Sequence, residues 1–207
     1  MNKTLIFDFD GTIADTLPFT VNNVLELNRS LKLLNAEKIN IEKFRTMDLS
    51  NYIKSLKIPT LKLLYFVLRL QLKLGSQINS IPTFNDLAET LVVLKRLGVK
   101  TGIVTSNSKR NVKKFLENNN LNYFDFIYTT INYFEKSKLI EKAIKKLKVN
   151  KDDVIYIGDE VRDIDAARAA GIKIASVTWG YNLESILTEN KPDYILNQPR
   201  DLLDLVK

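Results

Sequence analysis

Short runs rich in β-branched and aromatic residues alternate with amphipathic stretches over most of the chain. The β-rich runs lie at residues 4–9, 100–105, 126–130, 154–157 and 172–178, with a weaker run at 194–196. Helical periodicity occupies residues 86–97, 109–118, 138–148 and 163–170 between them. Such alternation is typical of a parallel sheet with helices on both faces. The sequence therefore predicts an α/β fold.

About 90 residues separate the first two predicted strands, far more than the connection between parallel neighbours requires. The excess predicts three helices, at residues 17–34, 41–56 and 61–74. Gly75 marks the end of the third helix, and Pro18 and Pro82 mark the points where the inserted lobe leaves and rejoins the sheet. We therefore predict a Rossmann-like core over residues 1–14 and 85–207, with a small helical lobe inserted over residues 15–84.

The chain contains neither cysteine nor histidine. This composition excludes disulfides, thiolate zinc sites, iron-sulfur clusters, cysteine nucleophiles and a Ser/His/Asp triad. Carboxylates are then the natural acid and base groups. A catalytic metal would need oxygen ligands, which favours Mg²⁺.

Lys and Arg outnumber Asp and Glu by 31 to 24, and the inserted lobe alone holds 10 basic and 5 acidic side chains. No long basic run and no aromatic-basic interleaving accompanies this excess, which argues against a nucleic-acid partner. The longest apolar stretch, residues 63–68, is too short to span a membrane. The amino-terminal residues do not resemble a secretory signal, so we expect a cytoplasmic protein.

Polar residues follow three of the predicted strands. Asp8-Phe9-Asp10-Gly11-Thr12 follows the first, Thr105-Ser106-Asn107 the second, and Gly158-Asp159-Glu160-Val161-Arg162-Asp163 the fourth. The carboxyl ends of parallel strands share one edge of a sheet, so these segments should converge there. Buried carboxylates at such an edge are costly unless a cation compensates them, and amides and hydroxyls ahead of a helix suit phosphate oxygens.

These motifs resemble those of the haloacid dehalogenase superfamily, in its phosphatase branch similar to phosphoglycolate phosphatases. The resemblance implies that Asp8 attacks phosphorus and that Asp10 is the general acid and base. It implies that Thr105 and a lysine bind phosphate, and that Asp159 is a direct Mg²⁺ ligand with Asp163 in support. The polar segments themselves add Ser106 and Asn107 to the predicted phosphate site, and Asp8 and Asp10 to the predicted Mg²⁺ site. The inserted lobe resembles the family's small α-helical cap, which closes over the substrate.

The family's lysine lies near the start of the helix before the fourth strand, where this chain offers Lys136 and Lys138. Many relatives place Gly before this lysine and Pro after it, whereas this chain has Glu135 and Ser137. A cation is unfavourable at a helix start unless an anion is near. We predict that Lys136 binds phosphate and takes part in catalysis, with Lys138 as the alternative.

The resemblance predicts a monomeric or homodimeric Mg²⁺-dependent phosphomonoester hydrolase that acts on a small phosphorylated metabolite through an aspartyl-phosphate. One alternative is a sugar-phosphate phosphomutase, whose second phosphate would bind basic cap residues such as Arg29, Arg45 or Lys54. Another is a non-enzymatic phosphoaspartyl or anion-binding module.

Several side chains allow two interpretations from sequence. A basic stripe in the third lobe helix is either a solvated edge or an anion contact, and the aromatic loop after the fifth strand either packs or recognises substrate. Glu160 is either exposed or lies behind the metal ligands. The basic stripe consists of Lys62, Arg69 and Lys73. The aromatic loop contains Trp179 and Tyr181.

Overall fold

A computed structural model describes residues 3–31, 40–47, 57–130 and 135–207 of the chain. Six strands in this part of the chain form one parallel sheet in the order β3-β2-β1-β4-β5-β6. They are β1 (Thr4–Phe7), β2 (Lys100–Thr105), β3 (Phe126–Thr129), β4 (Val154–Gly158), β5 (Lys173–Val177) and β6 (Tyr194–Leu196). This is the strand order of a Rossmann-like fold, so the predicted α/β class is confirmed.

The α-helices of the described residues are α1 (Leu17–Leu31), α2 (Ile41–Arg45), α3 (Thr60–Gln77), α4 (Leu87–Arg96), α5 (Lys109–Asn118), α6 (Lys136–Leu147), α7 (Val161–Ala170) and α8 (Glu184–Glu189). Short 3₁₀ helices span Ile78–Ser80, Lys151–Asp153 and Pro199–Val206. Ser108 begins α5 by accepting a hydrogen bond from the Asn111 amide, and Gly171 ends α7 in a left-handed conformation.

Apolar side chains cover both faces of the sheet. On one face Leu5, Phe7 and Ile103 pack against α4 and α5. On the other, Ile6 and Tyr156 pack against α6 and α7. Successive residues of β1 therefore point into different layers, and all four are buried, as expected for a central strand of a parallel sheet.

The first strand is shorter than the predicted run of residues 4–9. It ends at Phe7, because the Phe9 carbonyl accepts hydrogen bonds from the amides of Ile13 and Ala14 in a tight turn. Gly11 takes a φ of +75° within this turn. The turn keeps Asp8 and Asp10 beyond the end of the strand. They lie at the topological switch point, where the strand order reverses between the neighbours β1 and β4.

The third insert helix continues past Gly75, so the predicted stop there is wrong. A Cβ on Gly75 would lie 2.6 Å from the Asn111 side-chain oxygen. The glycine therefore serves close approach between α3 and α5 and does not end the helix.

The predicted helix at residues 41–56 is also wrong as a continuous element. It ends at Arg45, where the Thr46 hydroxyl donates to the carbonyls of Glu42 and Lys43. Residues 32–34 and 48–56 of the predicted insert helices lie outside the described part of the chain.

The insert contacts the core through α3. The Gln71 side-chain amide donates to the Ser106 carbonyl at 3.1 Å, and the Asn111 side-chain amide donates to the Gln71 carbonyl at 3.2 Å. Residues 15–84 remain our proposed bounds for the cap. Among the helices that the structure describes, none is long and apolar enough to cross a membrane.

Candidate active site

A buried lysine joins the loops that follow β1 and β4. The Lys136 ammonium donates to Asp8 Oδ2 at 2.8 Å and to Asp163 Oδ1 at 2.7 Å. All three side chains are almost fully buried. Asp163 Oδ2 accepts hydrogen bonds from the amides of Asp159 and Glu160, both at 3.1 Å. Both oxygens of Asp163 are therefore engaged, and Asp163 holds the lysine and the β4 loop in place.

The surroundings of Asp8 favour its ionised form. Burial raises the pKa of Asp8, but the Lys136 and Arg162 charges outweigh burial and hold it below its ordinary value. The Phe9 amide donates to Asp8 Oδ1 at 2.8 Å and stabilises the same form. Burial lowers the pKa of Lys136, but Asp163 and Asp8 outweigh burial and raise it. Asp8 and Lys136 thus form a charged pair.

Asp10 has the opposite tendency. Burial, followed by the negative charge of Asp8, raises the pKa of Asp10 to about 6. Its two oxygens accept hydrogen bonds of 3.1 and 2.9 Å from the Asn107 side-chain amide. Asn107, predicted at the phosphate site, therefore positions the Asp10 carboxyl in this structure. A carboxyl that gains and loses a proton near neutral pH is suited to general acid and base chemistry.

Asp159 occupies a tight slot after β4. Its Oδ1 accepts a hydrogen bond from the Thr12 hydroxyl at 2.7 Å, and its Oδ2 accepts one from the Tyr181 amide at 2.8 Å. A Cβ on Gly11 would lie 2.1 Å from Asp159 Oδ2, and one on Gly180 would lie 2.4 Å away. Both glycines are thus required by the approach of this carboxylate.

The carboxylates of Asp8, Asp159 and Asp163 form a cluster that fits a metal ion. One oxygen from each lies within 4.8 Å of the others, and all three residues are buried. Burial and then the charges of the neighbouring acids raise the pKa of Asp159 well above its ordinary value. A divalent cation relieves this repulsion, and an all-oxygen donor set suits Mg²⁺. The Asp10 side chain, also predicted as a ligand, is bound to Asn107 and lies outside this cluster.

The polar loop after β2 meets the same edge. Thr105 is buried, and its hydroxyl accepts a hydrogen bond from the Asn107 amide at 3.1 Å. Ser106 is half-buried, and its carbonyl accepts the bond from Gln71 of the insert. Asn107 of this loop contacts Asp10, so the loops after β1 and β2 meet as the convergence of strand ends requires.

The structure separates the two candidate lysines. The Lys136 side chain is 4% exposed and points into the acidic cluster, whereas Lys138 is exposed. Helix α6 begins at Lys136, two residues before the predicted start. The geometry therefore favours Lys136 as the lysine of the site.

Arg162, to which the sequence assigns no role, lies beside Glu160, for which it allows two. The guanidinium of Arg162 pairs with the buried Glu160 carboxylate and lies 4.0 Å from Asp8 Oδ2. Burial raises the pKa of Glu160 to about 7, against the opposing charge of Arg162. The interpretation of Glu160 as exposed is wrong. The signal that points to Arg162 is the one used for Lys136, a cation in the first turn of a helix.

The aromatic loop after β5 packs against the turn that follows β1 and against the insert. The Trp179 indole donates to the Thr12 carbonyl at 3.3 Å. The Tyr181 hydroxyl lies 3.0 Å from the hydroxyl of Thr16 and 2.7 Å from that of Thr20, and the Tyr181 carbonyl accepts a hydrogen bond from Arg45 at 3.0 Å. These contacts favour the packing interpretation of Trp179 and Tyr181.

The basic residues of the insert have different surroundings. Arg45 donates to core carbonyls, Lys73 pairs with Glu26 at 2.7 Å, and Arg29 is exposed. Lys62 and Arg69 are also exposed, as a solvated edge requires. Lys54 lies outside the described residues.

Comparison with known proteins agrees with this geometry. Residues 5–177 match the family model described as haloacid dehalogenase-like hydrolase. The chain belongs to the haloacid dehalogenase-like hydrolase family, and the predicted family and enzyme class, a hydrolase of the phosphatase branch, are confirmed.

Individual relatives extend over the whole chain. It is 27% identical to the phosphoglycolate phosphatase of Synechococcus elongatus over 205 residues, which cover 99% of this chain and 97% of that protein. It is 25% identical over 208 residues to the pyrophosphatase PpaX of Bacillus mycoides, covering 99% and 96%. A haloacid dehalogenase-like hydrolase from Streptococcus pneumoniae shares the fold with a TM-score of 0.80 and 22% identity, covering 99% and 98%.

Proposed function

We propose that the protein is a Mg²⁺-dependent phosphomonoester hydrolase that acts on a small phosphorylated metabolite through an aspartyl-phosphate. The observation that carries this proposal is the different contacts of two carboxylates two residues apart: the Lys136 ammonium donates to Asp8 at 2.8 Å, whereas the neutral Asn107 amide donates to both oxygens of Asp10. The surroundings of Asp8 lower its pKa, while those of Asp10 raise its pKa to about 6. One carboxylate is then ready to attack, and the other can hold a proton.

In the first step an Asp8 carboxylate oxygen forms a bond to phosphorus as the bond from phosphorus to the ester oxygen breaks. Asp10 donates its proton to the leaving oxygen. In the second step Asp10 takes a proton from water as that water attacks phosphorus. The bond to Asp8 then breaks and inorganic phosphate leaves.

Positive charge must oppose the negative charge of the phosphoryl oxygens during both steps. Lys136 supplies one such charge beside Asp8, and the Thr105 and Ser106 segment supplies hydroxyl and amide donors. Asp8 and Asp159, with Asp163 in support, would hold Mg²⁺, which would supply further positive charge beside the phosphoryl oxygens. The role of Asp10 as a Mg²⁺ ligand stays a prediction.

The names of the two relatives support a small substrate, since one is a phosphoglycolate phosphatase and the other a pyrophosphatase. Arg45, one of the three residues named for the second phosphate of a phosphomutase, donates to the carbonyls of Tyr181 and Gly180, which argues against that role for it. The cytoplasmic location and the monomeric or homodimeric state stay predictions.

The first test is hydrolysis of p-nitrophenyl phosphate with and without MgCl₂. We expect turnover that excess EDTA abolishes and that Asp8→Asn reduces by at least about 10³-fold, because the nucleophile is lost. Asp159→Asn should weaken Mg²⁺ affinity in calorimetry, with the exposed Asp152→Asn as a control. Unchanged turnover in Asp8→Asn, or turnover in EDTA, would refute the mechanism.

The second test is a panel of phosphorylated metabolites with product analysis. Release of inorganic phosphate identifies a hydrolase. Accumulation of an isomeric sugar phosphate instead identifies a phosphomutase. A protein that becomes phosphorylated on Asp8 without turnover would be a phosphoaspartyl module.

A further inference from the structure

The guanidinium group of Arg162 touches three loops of the site. Its Nη2 lies 4.0 Å from Asp8 Oδ2, its Nη1 lies 3.5 Å from the Ser106 hydroxyl, and its Nε faces the Glu160 carboxylate. The side chain is 16% exposed. The chain therefore carries a second cation beside the nucleophile, in addition to Lys136.

This position is electrostatically costly for an arginine. Arg162 lies in the first turn of α7, where the helix dipole disfavours a cation. Desolvation adds to the cost, and Glu160 compensates it. The charge of Arg162 also lowers the pKa of Asp8, so it acts on the nucleophile as well as on Glu160.

The distance to Asp8 indicates which group the guanidinium serves. A separation of 4.0 Å exceeds hydrogen-bond length, so Arg162 and Asp8 interact through charge alone. In a reactive complex phosphorus lies about 3–3.5 Å from the attacking oxygen. A phosphoryl oxygen to one side of the line from Asp8 Oδ2 to Arg162 Nη2 can then come within hydrogen-bond reach of that nitrogen.

We propose that Arg162 binds the transferring phosphoryl group directly, as a second cation beside Lys136; this inference rests on the proposed phosphomonoester hydrolysis. The planar guanidinium matches the oxygens of a phosphoryl group. Glu160 and Ser106 fix its plane from two sides. Arg162 is then a catalytic residue, and it favours the dianionic phosphoryl group of a monoester over a phosphodiester.

The test is binding of inorganic phosphate to the protein in MgCl₂, measured by calorimetry. We expect Arg162→Gln to bind phosphate at least about tenfold more weakly, because a charge-assisted hydrogen bond is lost. Arg162→Lys should recover part of this loss, since it keeps the charge without the fork. Arg96→Gln, at an exposed arginine in the last turn of α4, should match the parent protein.

Kinetics supply the second readout. Arg162→Gln should lower kcat/KM by a similar factor for p-nitrophenyl phosphate and for the best metabolite, because both carry the same phosphoryl group. A loss confined to the metabolite would overturn the proposal, since Arg162 would then read the rest of the substrate. Phosphate affinity within about twofold of the parent would also overturn it, leaving Arg162 as the partner of Glu160.

Two controls separate the other failures. If Arg162→Gln loses its thermal transition, the comparison is made on Arg162→Lys. The proposal then requires that Arg162→Lys bind phosphate more weakly than the parent protein does. Parental affinity in a folded Arg162→Lys, with parental kcat/KM, contradicts the proposal. A parent protein that neither binds phosphate nor turns over any monoester contradicts the proposed function itself.

Discussion

The Lys136 ammonium lies 2.8 Å from Asp8 Oδ2, although 128 positions separate the two residues in the chain. The contact exists because β1 and β4 are neighbours and α6 leads into β4, so that the start of α6 faces the end of β1. A buried ion pair is costly to break from one side, because the remaining charge loses its partner. Lys136 therefore controls both the charge of the nucleophile and the placement of Asp163.

Lys136→Gln should lower kcat for p-nitrophenyl phosphate by at least about 10²-fold, because a cation beside the phosphoryl group is lost. Lys138→Gln, two residues along the same helix and exposed, should retain parental kcat. Steady-state kinetics of the two variants check this prediction. The reverse pattern would assign the phosphate-binding role to Lys138.

Gly11→Ala should abolish Mg²⁺ binding, because its Cβ would lie 2.1 Å from Asp159 Oδ2. Gly98→Ala is a matched control, since Gly98 has the same φ of +75° and no atom within 4 Å of a built Cβ. Gly98→Ala should cost about 1 kcal/mol of unfolding free energy from backbone strain alone. Calorimetry with Mg²⁺ and urea unfolding distinguish the two. Equal effects of the two substitutions would mean that the carboxylate slot tolerates a methyl group.

Asp10→Asn should stabilise the metal-free protein above pH 6. The folded pKa of Asp10 is about 6 against an ordinary value of 3.8, so between these pH values the folded chain holds a proton that the unfolded chain has lost. Stability contributed by this group is full below pH 3.8 and falls as the pH rises to 6. The variant should gain on the order of 2 kcal/mol at pH 7 and little at pH 4.

Thermal melts in EDTA from pH 4 to 8 measure this difference, with the exposed Asp152→Asn as a control for the loss of a surface carboxylate. A constant difference across the whole range would show that Asp10 is not held in its protonated form.

Arg45→Gln should raise KM for a metabolite and for p-nitrophenyl phosphate in the same proportion. Its guanidinium donates to the carbonyls of Tyr181 and Gly180, so it docks the insert on the core and does not read substrate. Arg69→Gln, at an exposed position of α3, should leave p-nitrophenyl phosphate kinetics unchanged. A loss specific to the metabolite in Arg45→Gln would return Arg45 to the substrate-recognition surface.

The sequence predicted the core well because each central strand is a continuous apolar run that ends at a polar motif. The β2 strand and helix α5 have the predicted bounds, 100–105 and 109–118. Individual side-chain contacts between distant segments could not be predicted from the sequence. Gly75 has the local pattern of a helix end, but its neighbour Asn111 comes from another helix.

The same limit applies to the site. The acidic motifs predicted which loops converge, because strand order decides that. They did not predict that Asn107 holds Asp10, since this bond joins residues 97 positions apart. A cation in the first turn of a helix marks Arg162 as it marks Lys136, but only the fold shows that Arg162 lies 4.0 Å from Asp8.

Tyr181 connects the insert and the acidic cluster within one residue. Its amide donates to Asp159, its hydroxyl meets Thr16 and Thr20, and its carbonyl accepts from Arg45. Two coupled equilibria obey thermodynamic reciprocity. The factor by which a cation at Asp159 strengthens the packing of the insert on the core must equal the factor by which that packing strengthens cation affinity. Loosening the Tyr181 hydroxyl bonds with Tyr181→Phe therefore reports on both at once.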